Sequence, residues 1–206
     1  MIKAIAFDCG NVLFSNAWND ENTDPSFNII HERLGMTKEK GHEIFLKHWP
    51  EISVGKKSED VFFQDLIDVS KEKISLEELK RLYYSCILKK DAFEIVERLY
   101  EKYPDLPLYT LNDEGREWMD ARIKKFNLRK YFRDFITSGY VGYTKKMGRR
   151  IFDIFLERTG LKPEECLFVD DRKNLVTLAK EIGYKAILYE NKPHLIIDLA
   201  NYGFNL

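Results

Sequence analysis

Ile5-Ala6-Phe7-Asp8-Cys9-Gly10-Asn11-Val12-Leu13 near one end of the chain and Leu167-Phe168-Val169-Asp170-Asp171-Arg172 near the other are apolar runs that stop abruptly in acid. An apolar run without alternation, such as Ala4 to Phe7 or Cys166 to Val169, is the pattern of a strand buried on both faces, as in a parallel sheet. Two such strands ending in carboxylates bring Asp8, Asp170 and Asp171 to the sheet's carboxyl edge, where open α/β folds bind ligands. Unpaired charge at buried strand ends is costly, so a bound cation is the natural partner. The simplest expectation is a magnesium site with Asp8 free to act as a nucleophile.

Working outward, the stretch from about Ser15 to about Lys90 reads as helices: Phe27 to Leu34, Lys38 to Trp49, Ser58 to Val69 and Leu76 to Cys86. The last opens with Ser75-Leu76-Glu77-Glu78, the spacing of a capping box. From Asp91 onward helix and strand alternate. Strands are expected at Leu106 to Leu111, Phe135 to Thr137, Leu167 to Val169 and Tyr184 to Leu188. Helices are expected at Ala92 to Tyr103, Glu114 to Phe126, Arg149 to Thr159, Leu175 to Ile182 and His194 to Ala200. Strands separated by helices imply right-handed crossovers and a doubly wound parallel α/β sheet. The expected division is a core of residues 1–14 and 91–206 with a small α-helical cap, residues 15–90, inserted after the first strand beside the acids. An insertion there can cover the site, exclude water and contact substrate.

The 206 residues suffice for one sizeable core, and 44% hydrophobic, 14% aromatic and 33% charged residues describe a globular chain with a well-solvated surface. The formal net charge of −1 gives no reason to expect nucleic acid or an anionic membrane as partner. No apolar run approaches the ~20 residues that span a bilayer, and the start does not read as a signal peptide. Cys9, Cys86 and Cys166 lack CxxC spacing and read as buried free thiols, so a cytoplasmic chain is expected. His31, His42, His48 and His194 lack metal-ligand spacing and read as surface residues.

The order of parts resembles the haloacid dehalogenase-like hydrolase superfamily, in its subgroup with a small helical cap. The family's first motif is similar to Asp8-Cys9-Gly10-Asn11-Val12. The resemblance makes Asp8 the nucleophile that forms an aspartyl-phosphate, and the Gly10 carbonyl a magnesium ligand. Gly10 replaces the Asp that usually serves as general acid and base, a form similar to that of sugar-phosphate phosphatases in the family. The second motif places Asn112 at the end of a strand, where its amide would donate to phosphate; capping the next helix is its ordinary alternative. Asp113 follows it. The third motif is a Lys that neutralises Asp8 and the phosphoryl group. Counting forward from Ser138 gives Lys145, counting back from Ile151 gives Lys146, and Lys145 is preferred. The fourth motif is the pair Asp170 and Asp171, which with Asp8 would hold Mg2+. Leu175 stands where a further Asp or Asn is usual, with Asn174 one position early.

The resemblance implies a magnesium-dependent phosphatase for a small phosphorylated metabolite. Asp20, Asp113 and Glu114 are the candidate stand-ins for the missing base. Dehalogenation would also use an Asp nucleophile, but would leave Asp170 and Asp171 without a purpose. A catalytically impaired chain that binds a phosphorylated ligand or a protein partner is the reading from a different class. Substrate contacts would come from the cap, with Asn16, Trp18, Asn19 and Trp49 as candidates. Oligomeric state is not legible in the residues.

Overall fold

The computed structural model describes residues 1–16 and 25–206. Five strands form one parallel sheet in the order β3-β2-β1-β4-β5, with β1 Ala4–Phe7, β2 Leu108–Asn112, β3 Asp134–Thr137, β4 Cys166–Asp170 and β5 Lys185–Leu188. Helices α1 Asn28–Leu34, α2 Lys38–Ile52, α3 Asp60–Asp68 and α4 Leu76–Cys86 lie between β1 and β2, before α5 Phe93–Lys102. The crossovers after β2 carry α6 Arg116–Phe126, then the short α7 Ser138–Val141 and α8 Arg150–Thr159, then α9 Lys173–Ile182; α10 Lys192–Asn201 follows β5.

The strand residues divide by parity, as the pleat requires. Ile5, Phe7, Leu167 and Val169 join the apolar cluster with residues of α5, α6, α10 and the inserted helices. Ala4, Ala6, Cys166 and Phe168 join a second cluster with residues of α8 and α9. Both faces are therefore covered, which is why the strands read as unbroken apolar runs.

The helical insert leaves and rejoins the core at adjacent points. Ser15 N donates to Leu88 O at 2.9 Å and Lys90 N donates to Leu13 O at 2.9 Å. Within the insert, Ser75 Oγ accepts from Glu78 N at 3.1 Å and starts α4, whereas the Glu78 carboxylate accepts from Arg33 Nη2 at 3.0 Å. The capping box is thus half made. Helix α2 runs on past Trp49 with Pro50 inside it, since a proline costs one hydrogen bond and packing can outweigh that near a helix end.

All three cysteines are free and buried. The histidines divide differently from expectation: His31 and His48 are each 6% exposed. Both fall on the inward side of their amphipathic helices, and His48 meets Asp65 Oδ2 at 2.9 Å through Nε2. No helix of the described residues is long and apolar enough to cross a membrane.

Candidate active site

The sheet register assembles the acids. Phe7 lies opposite Val169 on β4 and Thr110 on β2, and Asp8 N donates to Val169 O at 2.8 Å. The next residue on each of β1 and β4 is therefore an aspartate at the same level of the sheet. Asp8, Asp170 and Asp171 each offer a carboxylate oxygen within 4.8 Å of the others. After Asp8 the chain turns sharply: Asn11 takes a left-handed conformation with φ 60°, its backbone N–H donates to Phe14 O at 2.9 Å, and its side-chain amide lies against the Asp171 carboxylate.

Lys145 is drawn into this cluster. It is fully buried, with Nζ 2.6 Å from Asp8 Oδ1 and 2.5 Å from Asp170 Oδ2. Burial works against its charge, but Asp8 and Asp170 outweigh burial and hold the ammonium protonated. Burial pushes the Asp8 carboxyl up to about 7, against the pull of Lys145 and with help from Asp170. Burial also raises Asp170, but Lys145 and Arg172 overcome it and keep that carboxyl below its ordinary range. Asp171 is raised by burial and then by Asp170. Three acids facing the Lys145 ammonium and the Arg172 guanidinium still leave surplus negative charge and hard oxygen donors, which fits a small divalent cation.

The other sequence candidates fall into distinct places. Lys146 lines the cavity over the acids but makes no contact with Asp8 comparable to that of Lys145. Asp113 also lines the cavity, yet its Oδ1 accepts from Lys145 N at 2.7 Å and its Oδ2 faces Arg172 Nη2 at 3.4 Å. It clamps the loop that delivers Lys145. Asn112 is 1% exposed and turned elsewhere: Nδ2 donates to Glu114 Oε2 at 3.3 Å and Oδ1 accepts from Thr137 Oγ1 at 3.0 Å. The expected amide contact with phosphate is not the one this side chain makes here, and it does not cap α6, whose N-cap is Gly115. Gly10 lines the cavity beside Asp8. Asn174 is exposed on the first turn of α9, and Leu175 is buried. Trp18, Asn19 and Asp20 lie outside the described residues.

Residue-level reading named Glu114 as a stand-in base but missed its partner, Arg122. Glu114 and Arg122 both line the cavity and form a buried pair, with Arg122 Nε 2.8 Å and Nη2 2.7 Å from Glu114 Oε1. Burial raises the Glu114 carboxyl against the pull of Arg122. Burial disfavours the Arg122 charge, and Glu114 more than compensates. Glu114 precedes α6 and Arg122 lies inside it, so the pair lacks the three- or four-residue spacing that marks a helical ion pair. Asn16 completes this side of the cavity; a Cβ on Gly10 would stand 3.4 Å from its Nδ2.

The family model of the haloacid dehalogenase-like hydrolases matches residues 2–183. The chain belongs to that family. A D-ribitol-5-phosphate phosphatase from Bacteroides thetaiotaomicron is 27% identical to it over 203 residues, 93% of each chain. Among solved structures, a predicted HAD-like family hydrolase from Porphyromonas gingivalis superposes with TM-score 0.76 at 21% identity, covering 100% of both chains. A HAD family enzyme from Bacteroides thetaiotaomicron, in complex with magnesium and inorganic phosphate, superposes with TM-score 0.72 at 20% identity over 95% of this chain and 99% of that one. These likenesses bear out the doubly wound α/β fold, and the family makes the chain a hydrolase.

Proposed function

We propose that this hydrolase is a magnesium-dependent phosphomonoesterase acting on a small phosphorylated metabolite, with Asp8 as its nucleophile. The observation that carries the reading is Lys145 Nζ held between Asp8 and Asp170, beside Asp171. Asp8, Asp170, Asp171 and the Gly10 carbonyl would hold the cation, which when bound supplies Lewis-acid stabilisation of charge on the phosphoryl oxygens. The residues of the chain do the rest. An Asp8 carboxylate oxygen attacks phosphorus, the ester P–O bond breaks, and the leaving oxygen departs as an alcohol once protonated. Water then cleaves the aspartyl-phosphate and returns Asp8. Lys145 offsets charge on Asp8 and on the transferring group without leaving its buried seat.

The leaving-group proton has no dedicated donor among the described residues. Position 10 is glycine, Asp113 is tied to the Lys145 loop, and Glu114 is tied to Arg122. Solvent is then the donor, and esters of acidic alcohols are favoured. The resemblance to a D-ribitol-5-phosphate phosphatase supports the phosphatase reading. The same gap at position 10 supports a second reading, a phosphate-ester binder with little turnover.

Hydrolysis of p-nitrophenyl phosphate with magnesium and with EDTA, alongside Asp8→Asn, separates them. Magnesium-dependent turnover lost in Asp8→Asn is the expected result. Turnover equal in the two proteins would overturn the role of Asp8, and turnover in neither, with phosphate esters still bound, would favour the binder.

A further inference from the structure

The cavity above the acids is larger than a phosphoryl group needs, at about 550 Å3, and its two sides differ in chemistry. The floor is polar, with Asp8, Asn11, Asp113, Asp171 and Arg172. A second, apolar part of the lining is built by Phe45, Trp49 and Pro50 of α2, Val54 after it, Tyr83 of α4 and Trp118 of α6. Its rings run nearly parallel. Phe45 and Trp49 have centroids 5.0 Å apart and planes 30° apart; for Trp49 and Trp118 the values are 6.1 Å and 17°, and for Trp118 and Tyr83 5.6 Å and 23°. Tyr83 and Trp118 are buried, whereas Phe45 and Trp49 keep part of their surface open. The polar side chains beside these rings, among the described residues, are Ser53, which is 2% exposed, the Glu114–Arg122 pair, which hold each other, and Asn16.

We propose that the alcohol portion of the substrate carries a planar ring, an aromatic heterocycle, that lies against Phe45, Trp49 and Trp118. The proposal rests on the phosphomonoesterase reading and names its substrate class. A polyhydroxyl chain pressed on this wall would give up hydrogen bonds to water and find few replacements, a cost for each hydroxyl. A flat ring gives up little, continues the near-parallel set, and adds stacking to area burial. The acids fix the phosphate end, so the ring stands a linker away from phosphorus in the same cavity.

Flavin mononucleotide and D-ribitol 5-phosphate test this directly, because the first is the second with a planar ring system in place of a terminal hydroxyl. Both leave as primary alcohols, so a difference between them reports the ring. With magnesium, kcat/KM for flavin mononucleotide is expected to exceed that for D-ribitol 5-phosphate at least tenfold, chiefly through KM. Trp49→Leu, which keeps an apolar side chain and removes the plane, should cut that ratio tenfold, and Trp49→Phe should restore most of it. A ratio near or below one in the unaltered protein, or a Trp49→Leu variant that slows both esters in the same proportion, overturns the proposal. If neither these esters nor p-nitrophenyl phosphate is hydrolysed with magnesium, the phosphomonoesterase reading fails separately. Binding then decides the wall's role: flavin mononucleotide, followed by quenching of its fluorescence, should bind at least tenfold tighter than D-ribitol 5-phosphate competes. Equal affinities overturn it.

Discussion

Lys145 shows how much one side chain can be asked to do. Its ammonium is fully buried and bridges two of three clustered carboxylates, so removing it leaves Asp8 and Asp170 facing each other with only the Arg172 guanidinium, 3.6 Å from Asp170, as counter-charge. Lys145→Met should lower kcat on p-nitrophenyl phosphate by roughly 10²–10³, the usual loss for one preorganised electrostatic group. Lys146→Met should lower it less than about tenfold, because that side chain touches the cavity and neither acid. Losses of equal size would mean that the two lysines share the task. Gly10 offers the reverse experiment, a gain. Among the described residues a Cβ there meets only Asn16, at ordinary contact distance, so a carboxylate can be installed beside Asp8 without displacing them. Gly10→Asp should raise turnover of an alkyl phosphate by about 10²-fold, as a general acid does, and should narrow the gap between alkyl and p-nitrophenyl esters. An unchanged gap would show that leaving-group protonation does not limit the rate.

At the scale of elements, helices α3 and α6 meet end to end and cap each other. Glu59 Oε1 accepts from Trp118 N at 3.0 Å, while Glu117 accepts from Glu59 N at 3.1 Å and from Ser58 Oγ at 2.8 Å. Each helix start thus lends a carboxylate to the orphan donors of the other. The start of α6 is packed just as closely by α7, at Gly139. A Cβ on Gly139 would stand 2.6 Å from Arg116 N and 2.7 Å from Glu114 O, both backbone atoms that cannot swing away. Gly139→Ala should cost ~1–3 kcal/mol in urea denaturation, in the range of overpacking; a smaller cost would mean that α7 shifts freely against the start of α6. None of this joint is legible in the residues, since Glu59 and Trp118 lie 59 positions apart and neither belongs to a local motif. The strands were legible because burial on both faces leaves an unbroken apolar run. Asp8 and Asp170 were legible because acid at the end of such a run has few structural explanations. Lys145 was not fixed by counting, because a short helix and a 3-10 turn fill the loop between β3 and α8 and obscure the register. Asn112 was placed correctly on its strand, but its partners Glu114 and Thr137 come from the neighbouring loop and strand.

The whole molecule carries a pH dependence set by that joint. Burial pushes the Glu59 carboxyl up to about 9, opposed by the Trp118 N–H and reinforced by Glu117 and Glu114. Its Oε2 is buried and has no hydrogen-bond partner among the described residues, which suits a carboxyl that keeps its proton. In the unfolded chain the same group titrates near 4.5. Between those two values the folded chain binds a proton that the unfolded chain does not. The Glu59 contribution is therefore complete below pH 4.5, falls by up to about 1.4 kcal/mol per pH unit as pH rises through the window, and levels off above pH 9. Glu59→Gln copies the shape of the protonated acid, keeps an acceptor for Trp118 N and takes up no proton. Urea denaturation should find the variant close to the unaltered protein at pH 5 and more stable than it at pH 8. Curves that stay parallel between the two pH values would show that Glu59 is ionised in the folded chain.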